Sequence, residues 1–465
     1  VGGRVAALCA DIIPTDKIGQ DYSVCFKGAQ TCSHKRYLYQ ICSPNLDLPP
    51  IYAHQGCAVN EYDSLVNRHI VDPLPTSLEV IEGCYKALKP IINVLGNVNK
   101  YTNSQLINSR PQRMRRRYRK ALMLEFKPVH AKVNMFVKFE KQEEIKTCRA
   151  IQFRATPYTA RLAKYTVPIE KALQNQWTDI NHGFRFIAKG RNALQRGSDL
   201  KEMFDYYPNP AVYLIDHSKF DSRVNKSLLS VEHDFYKAIF RDRWLARLLK
   251  FQINNKGGSR NGVRYRCVAR RMSGDANTAL GNCILNYAIL RHKFGDKAVI
   301  YLDGDDSVVF MPHIVDNLDF TDTGMISKIN IVRHFQDVEF CQSRPVETTL
   351  GWLMCREPMR AINRALWKLG AVPHNIEDYL ATIGIGEGLC SPEMPIISIL
   401  SKIYRSFGGK YKAHFTMYRP EVMSCVNRFI MPSARSRVSF SNAFGIDPLV
   451  QILIEKEILD MVLLY

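Results

Sequence analysis

Residues 299–310, VIYLDGDDSVVF, place two adjacent carboxylates, Asp305 and Asp306, after Gly304 and between two apolar runs. The pattern reads as a β-hairpin whose tight turn needs the freedom of glycine. Paired carboxylates at a strand end suit a hard divalent cation such as Mg²⁺, and through it phosphoryl chemistry. In isolation the tripeptide reads better as an ordinary turn, since Asp and Gly are common turn residues. A second carboxylate position lies upstream, where the buried-strand pattern of residues 211–215, AVYLI, stops at Asp216. A carboxylate ending a buried strand is costly unless it is paired, hydrogen-bonded or metal-bound. Asp221 follows five residues on, beyond the strand, where it can face a substrate.

Cations supply the complementary chemistry. Residues 113–120, RMRRRYRK, hold six cations and no acid. Arg115, Arg116, Arg117, Arg119 and Lys120 read either as a solvated helix face or as a contact to phosphates that relieve their repulsion, and RNA or a nucleotide is the favoured partner. Between residues 132 and 161, Lys138, Lys141, Arg149 and Arg154 are interleaved with Phe136, Phe139, Phe153 and Tyr158 in two strand-like segments. Such a ribbon can guide a triphosphate by point charges and Arg forks. The aromatic rings either stack on bases or fill core.

These groups must be positioned by a mixed set of elements. Helical patterning is expected over residues 78–95, 226–251 and 278–294, and from residue 168 a helix gives way to a loop near residue 207. A turn at residues 256–258 and another at Asn261-Gly262 bracket an expected hairpin ending at residue 272. Ser273-Gly274 opens the helix that follows: Gly274 marks a flexible loop, and Ser273 can cap or reach a ligand. Thr278, Asn282 and Asn286 recur every four residues and line one helix stripe, which requires hydrogen-bond partners. Residues 338–343 read as a short strand, and residues 351 to the end as mainly helical. The terminal stretch from residue 448 is amphipathic, with core packing its expected use. Residues 1 to about 110 show no catalytic constellation and read as a structural extension.

The 465 residues can bury several lobes. Lys and Arg number 64 against 44 Asp and Glu, a net charge of +20 that favours a polyanionic partner. Thirteen cysteines, an odd number without a Cys-x-x-Cys pair, point to a reducing compartment. Cys25, Cys32, His34 and Cys42 form a zinc candidate whose spacing matches no common pattern. No apolar run approaches the ~20 residues of a membrane span, no secretory signal opens the chain, and Val1 suggests a portion of a longer polypeptide.

In order along the chain, these motifs resemble viral RNA-dependent RNA polymerases, in particular the tombusvirus-like replicases. DHSKFDSRV resembles that family's first palm motif, RMSGDANTALGNC its second and GDD its third. VEFCQSRPV resembles its primer grip, FVKFEK and CRAIQFR its fingertip approach for nucleotides, and SRVSFSNAFGI, residues 436–446, a thumb sequence. The resemblance covers roughly residues 120 to 450. Asp303 departs from it, standing where the family more often carries an uncharged residue, and is expected to be a bystander.

The resemblance implies an α+β right-hand fold, with an antiparallel palm sheet flanked by helices. It implies an N-terminal extension over 1–110 bridging fingers and thumb, fingers over 111–207, palm over 208–240, a fingers insertion over 241–270, palm over 271–350 and thumb over 351–465. It implies two Mg²⁺ ions, replaceable by Mn²⁺, on Asp216, Asp305 and Asp306, and ribose recognition by Asp221, Ser273 and Asn282 with Thr278 in support. Lys138, Lys141, Arg149 and Arg154 would hold the incoming triphosphate, Lys328, with His334 behind it, would act as general acid, and Gly274 and the 115–120 cations would contact RNA. Implied partners are template and nascent RNA, nucleoside triphosphates and an upstream viral replication protein or region. The implied setting is membrane-associated replication complexes in host cytoplasm, replicating a positive-strand genome. A reverse transcriptase and a catalytically silent RNA-binding palm protein are the alternatives. Asp221 and Asn282, which suit a site that accepts ribose, argue against the first, and the intact carboxylates against the second.

Overall fold

The computed structural model describes residues 3–32, 35–175, 179–415 and 420–465. At its centre is an antiparallel sheet of four strands in the order Val299–Asp303, Asp306–Met311, Ala211–His217 and Ser327–Val332. The near-continuous apolar strands are explained by burial on both faces. Ile300, Leu302, Val309 and Ile215 point into one core, while Val299, Tyr301, Val308 and Phe310 point into another. This is the two-residue alternation of a pleated strand.

Helices cover the first face. Thr278–Phe294 lies against the sheet, with Leu78–Leu95 and Lys226–Phe240 packed on it. The 278–294 helix is buried on nearly all sides, so its apolar residues form no stripe and its polar ones must bond inside the protein. On the second face, Ala193–Asp205 packs against the hairpin Ser343–Thr348/Gly351–Arg356.

A second sheet carries the basic ribbon. Its order is Lys17–Ile18, Tyr22–Phe26, Val263–Val268, Asn254–Ser259, Val133–Val137 and Ala150–Arg154, with one parallel step between Val133–Val137 and Asn254–Ser259. Residues from the first hundred therefore join this sheet. They also pair with the C-terminal part, where Arg4–Ala6, Tyr37–Gln40 and Trp367–Leu369 form one small sheet and Cys42–Ser43 pairs with Val462–Leu463.

Several local expectations are corrected. Gly257 and Gly258 lie inside a strand and not in a turn, because the Tyr265 ring crosses the backbone and a Cβ on Gly257 would sit 2.2 Å from its Cζ. The helix expected from residue 168 begins earlier, at Thr156, and the expected loop contains the Ala193–Asp205 helix, capped by Asn192. Residues 226–251 form two helices, parted at Arg241 with φ 45°. The strand expected over residues 338–343 starts only at its last residue: Cys341 and Gln342 turn the chain in left-handed conformations, and the strand begins at Ser343. The Pro448–Leu459 helix turns Gln451 and Glu455 inward to bond with Arg437, leaving Leu449, Ile452 and Leu453 exposed. The zinc candidate also fails as read: the Cys32 thiol clusters with Cys9 and Cys57, and neither Cys25 nor Cys42 joins it; His34 lies outside the described residues. Among the described residues, no helix is long and apolar enough to cross a membrane.

Candidate active site

Strand register builds the site. Asp303 pairs with Asp306, so Gly304 and Asp305 form a two-residue hairpin turn, with Gly304 at φ 78°. Asp305 is the turn residue and Asp306 the first residue of the returning strand. Ser307 pairs with Ile215, so Asp306 and Asp216 stand one step beyond at neighbouring strand ends. On the other side of the same strand, Lys328 pairs with Asp216. Asp216, Asp306, Ser307, Lys328 and Cys341 share the lining of a cleft of about 730 Å³.

None of Asp216, Asp305 and Asp306 forms an ion pair among the described residues. Both turn carboxylates reach solvent, yet the surrounding fold removes much of their hydration. Burial raises the Asp305 carboxyl, and Asp216 and Asp303 add to the rise. Burial, then Asp305 and Asp303, push Asp306 up to about 6. The three carboxylates feel one another's charge and have no ion-pair partner among the described residues. Their oxygens are hard donors of the kind that suit Mg²⁺, although they do not lie close enough together here to form a ready metal cluster.

Two networks fix this geometry, and neither was legible from spacing alone. Asn286 donates from Nδ2 to the carbonyls of Gly304 and Asp305, both at 3.2 Å, and its Oδ1 lies 3.2 Å from His217 Nε2. His217 Nδ1 lies 2.7 Å from Ser327 Oγ, and burial lowers the imidazole to about 4, so it is neutral. The Gly304 amide donates to the Cys283 thiol at 3.1 Å. The Gly304–Asp305 turn thus hangs from the 278–294 helix.

One turn earlier on that helix, Asn282 donates to Asp221 at 2.8 Å and accepts from Arg271 Nε at 2.9 Å. Arg271 is itself fully buried against Glu232 at 2.6 Å. Burial pushes Asp221 up to about 6, although Asn282 opposes the shift. Asp221 and Asn282 therefore meet. Ser273 and Thr278 do not join them. Ser273 Oγ accepts from the Gln152 amide at 3.2 Å and lies 3.3 Å from the Ala150 carbonyl, and Thr278 Oγ1 donates to the Met272 carbonyl at 2.7 Å. Gly274 is explained by a close approach: its amide donates to Gln152 O, and a Cβ there would stand 2.7 Å from that oxygen.

The four cations expected to hold a triphosphate separate into two groups. Lys138 and Arg149 are half exposed and share one partner, Glu140, at 2.8 and 2.6 Å. The expectation for Arg154 is corrected: its side chain is 1% exposed, ion-paired to Asp275 at 2.9 Å and bonded to Asn255, so it braces the loop before the 278–294 helix. Lys141 is corrected likewise, since its ammonium donates to the Arg364 carbonyl and burial lowers it to about 7. The first hundred residues contribute a cation that composition concealed, Arg68. Asn67 and Arg68 are held by Lys219 and Ser222 through backbone carbonyls, bringing Arg68 into the field of Asp221 and Glu140.

The basic run forms the helix Gln112–Met123, which buries Tyr118 and Ala121. Arg115, Arg116, Arg117, Arg119 and Lys120 all stay exposed. Arg117 donates to Thr156 Oγ1, and Arg115 to the Asn108 and Arg110 carbonyls.

Comparison with known proteins bears on what such a site is for. A family profile described as viral RNA dependent RNA polymerase matches residues 23–464. The chain is 28% identical over 404 residues to the RNA-directed RNA polymerase of Pothos latent virus (isolate Pigeonpea/India), covering 80% of this chain and 53% of the relative. It is 28% identical over 396 residues to that of Red clover necrotic mosaic virus, covering 78% and 51%, and 31% identical over 322 residues to that of Turnip crinkle virus, covering 63% and 41%. The chain spans about half the length of the curated relatives it matches. With its carboxylates on neighbouring strand ends and the profile spanning nearly its whole length, the chain belongs to the viral RNA-dependent RNA polymerase family.

Proposed function

We propose that this chain carries out template-directed RNA synthesis, joining nucleoside triphosphates to a growing RNA in replication of a positive-strand RNA genome. The observation that carries the reading is the placing of Asp216, Asp305 and Asp306 at neighbouring strand ends and their turn, without ion-pair partners among the described residues, with Asp221, hydrogen-bonded to Asn282, close enough to feel the Asp305 charge. The four-stranded sheet is then the palm, the six-stranded sheet belongs to the fingers, and the helices after residue 370 form the thumb. Asp216 and Asp305 would hold two Mg²⁺ ions, with Asp306 assisting and Mn²⁺ able to substitute. When bound, such ions lower the pKa of an attacking 3′-hydroxyl and stabilise the charge on the leaving pyrophosphate.

The protein's own groups do the rest. Asp221 accepts a hydrogen bond from the ribose 2′-hydroxyl while Asn282, fixed by Arg271, holds that carboxylate in place. Lys138, Arg149 and Arg68 meet the triphosphate as Glu140 releases its two cations. Lys328, across from Asp216 on the cleft wall, is placed to give a proton to the departing pyrophosphate. The exposed 115–120 cations contact template backbone. RNA, nucleoside triphosphates and an upstream viral replication protein or region are the proposed partners, and membrane-associated complexes in host cytoplasm the proposed setting.

The test is incorporation of labelled ribonucleotides on primed and unprimed RNA templates with Mg²⁺ or Mn²⁺. Activity is expected, with Asp305→Ala abolishing it while RNA binding persists. Incorporation of deoxynucleotides alone would favour a reverse transcriptase, and equal activity in Asp305→Ala would sink the assignment.

A further inference from the structure

Cys9, Cys32 and Cys57 come from three segments far apart in sequence and outside the cleft. Cys9 follows the strand Arg4–Ala6, Cys32 lies in the loop between Tyr22–Phe26 and Tyr37–Gln40, and Cys57 precedes the helix Ala58–Ser64. Their three sulfur atoms lie within 4.8 Å of one another, and Cys9 Sγ and Cys57 Sγ are 3.5 Å apart. Tetrahedral zinc with Zn–S bonds of about 2.3 Å requires sulfurs roughly 3.8 Å apart. The cluster is therefore within side-chain adjustment of that geometry. A disulfide needs sulfurs at about 2.05 Å and would use only two of the three.

We propose that Cys9, Cys32 and Cys57 form a three-thiolate site for a soft divalent cation, zinc by the chemistry of its donors. Each thiol gives up its proton to solvent on binding. Three thiolates around a divalent ion leave one net negative charge, and a cation is already in place to balance it. The Arg36 guanidinium is fixed by the His54 and Val137 carbonyls at 3.2 and 3.0 Å, and a Cβ on Gly56, next to Cys57, would lie 2.8 Å from Arg36 Nη2. The consequence is architectural. The small sheet that reaches residues 367–369, the six-stranded sheet and the 58–64 helix would be tied at one point, which holds the N-terminal segments against the ribbon that carries Lys138 and Arg149.

The test is metal content of the purified full chain, measured after dialysis against zinc and then buffer. About one zinc per chain is expected, lost in Cys9→Ser and in Cys57→Ser and retained in Cys25→Ser, whose thiol lies outside the cluster. Cobalt(II) in place of zinc is expected to give a thiolate charge-transfer absorption that both cluster variants lack. Should the cluster variants fail to fold, the wild-type chain decides alone: a strong chelator is expected to lower its melting temperature and added zinc to restore it. Zinc absent from the wild type, zinc retained by Cys9→Ser, or two thiols missing from the free-thiol count of unreduced protein would each overturn the proposal.

Discussion

Replacing Asn286 with alanine should disable the catalytic turn without touching RNA or nucleotide. The side chain is fully buried and makes three contacts, to the Gly304 and Asp305 carbonyls and to His217, each at 3.2 Å. At about 0.5–1.5 kcal/mol net per hydrogen bond, loss of all three costs about 1.5–4.5 kcal/mol of stability. His217 loses its Nε2 partner in a place too buried for it to become charged. The kinetic effect should be larger than the stability effect suggests, because a shift of about 1 Å in a reacting group can cost on the order of 10²-fold in rate. Asn286→Asp separates hydrogen bonding from packing. It keeps the shape but turns a carboxylate oxygen toward two carbonyls, so it should lose at least as much rate as the alanine variant. The assay is single-nucleotide incorporation at saturating RNA, with melting temperature and RNA affinity measured in parallel. A fall in kcat of roughly 10- to 100-fold with unchanged RNA affinity is expected in both variants. Wild-type kcat in Asn286→Ala, or a loss confined to RNA affinity, would refute the reasoning.

Other consequences follow from the same geometry. Asp221 and Asp306, raised to about 6, stay protonated in the fold at pH values where the unfolded chain, near 3.9, has already released those protons. These two groups therefore stabilise the metal-free protein below about pH 4 and lose that contribution as pH rises through 6, which thermal melts from pH 4 to 7 will show. Activity should run the opposite way, falling below about pH 6, and raising Mg²⁺ should move that limb to lower pH because metal and proton compete; an immobile limb would count against carboxylate ligation. Glu140→Gln frees Lys138 and Arg149 from their shared partner and should lower KM for nucleoside triphosphates severalfold, whereas a raised KM would mean that Glu140 positions those cations. Asp303→Asn removes a charge that raises Asp306 and leaves Arg196 without its ion-pair partner. It should increase the Mg²⁺ needed for half-maximal activity by roughly threefold, on the scale of a partly screened charge, and a magnesium titration checks this.

Much of this protein follows from sequence because it is governed by local rules. Uninterrupted apolar runs ending in Asp216 and entering Gly304-Asp305 foretell strands buried on both faces, and the helix Leu78–Leu95 appears with the bounds its periodicity implies. The four-residue recurrence of Asn282 and Asn286 likewise requires partners for a polar stripe. Which partners they find is a tertiary matter. Asn282 meets Asp221 and Arg271, and Asn286 meets a turn eighteen residues away, only because the helix is laid across the sheet. Charge type misleads for the same reason. Lys138 and Arg154 look equivalent along the ribbon, yet alternation sends Arg154 inward to Asp275 while Lys138 stays near the surface. Asp303, read as a bystander, is held by Arg196 from a helix that periodicity did not reveal. Arg68 and the Cys9–Cys32–Cys57 cluster lie in a stretch without a recognisable motif. The sequence by itself determined the carboxylate-bearing strands and the order of the motifs, since a side chain's type and its position along a strand or helix are local. Only the tertiary structure decided which charges are free to act, because burial and pairing depend on residues that folding alone brings together.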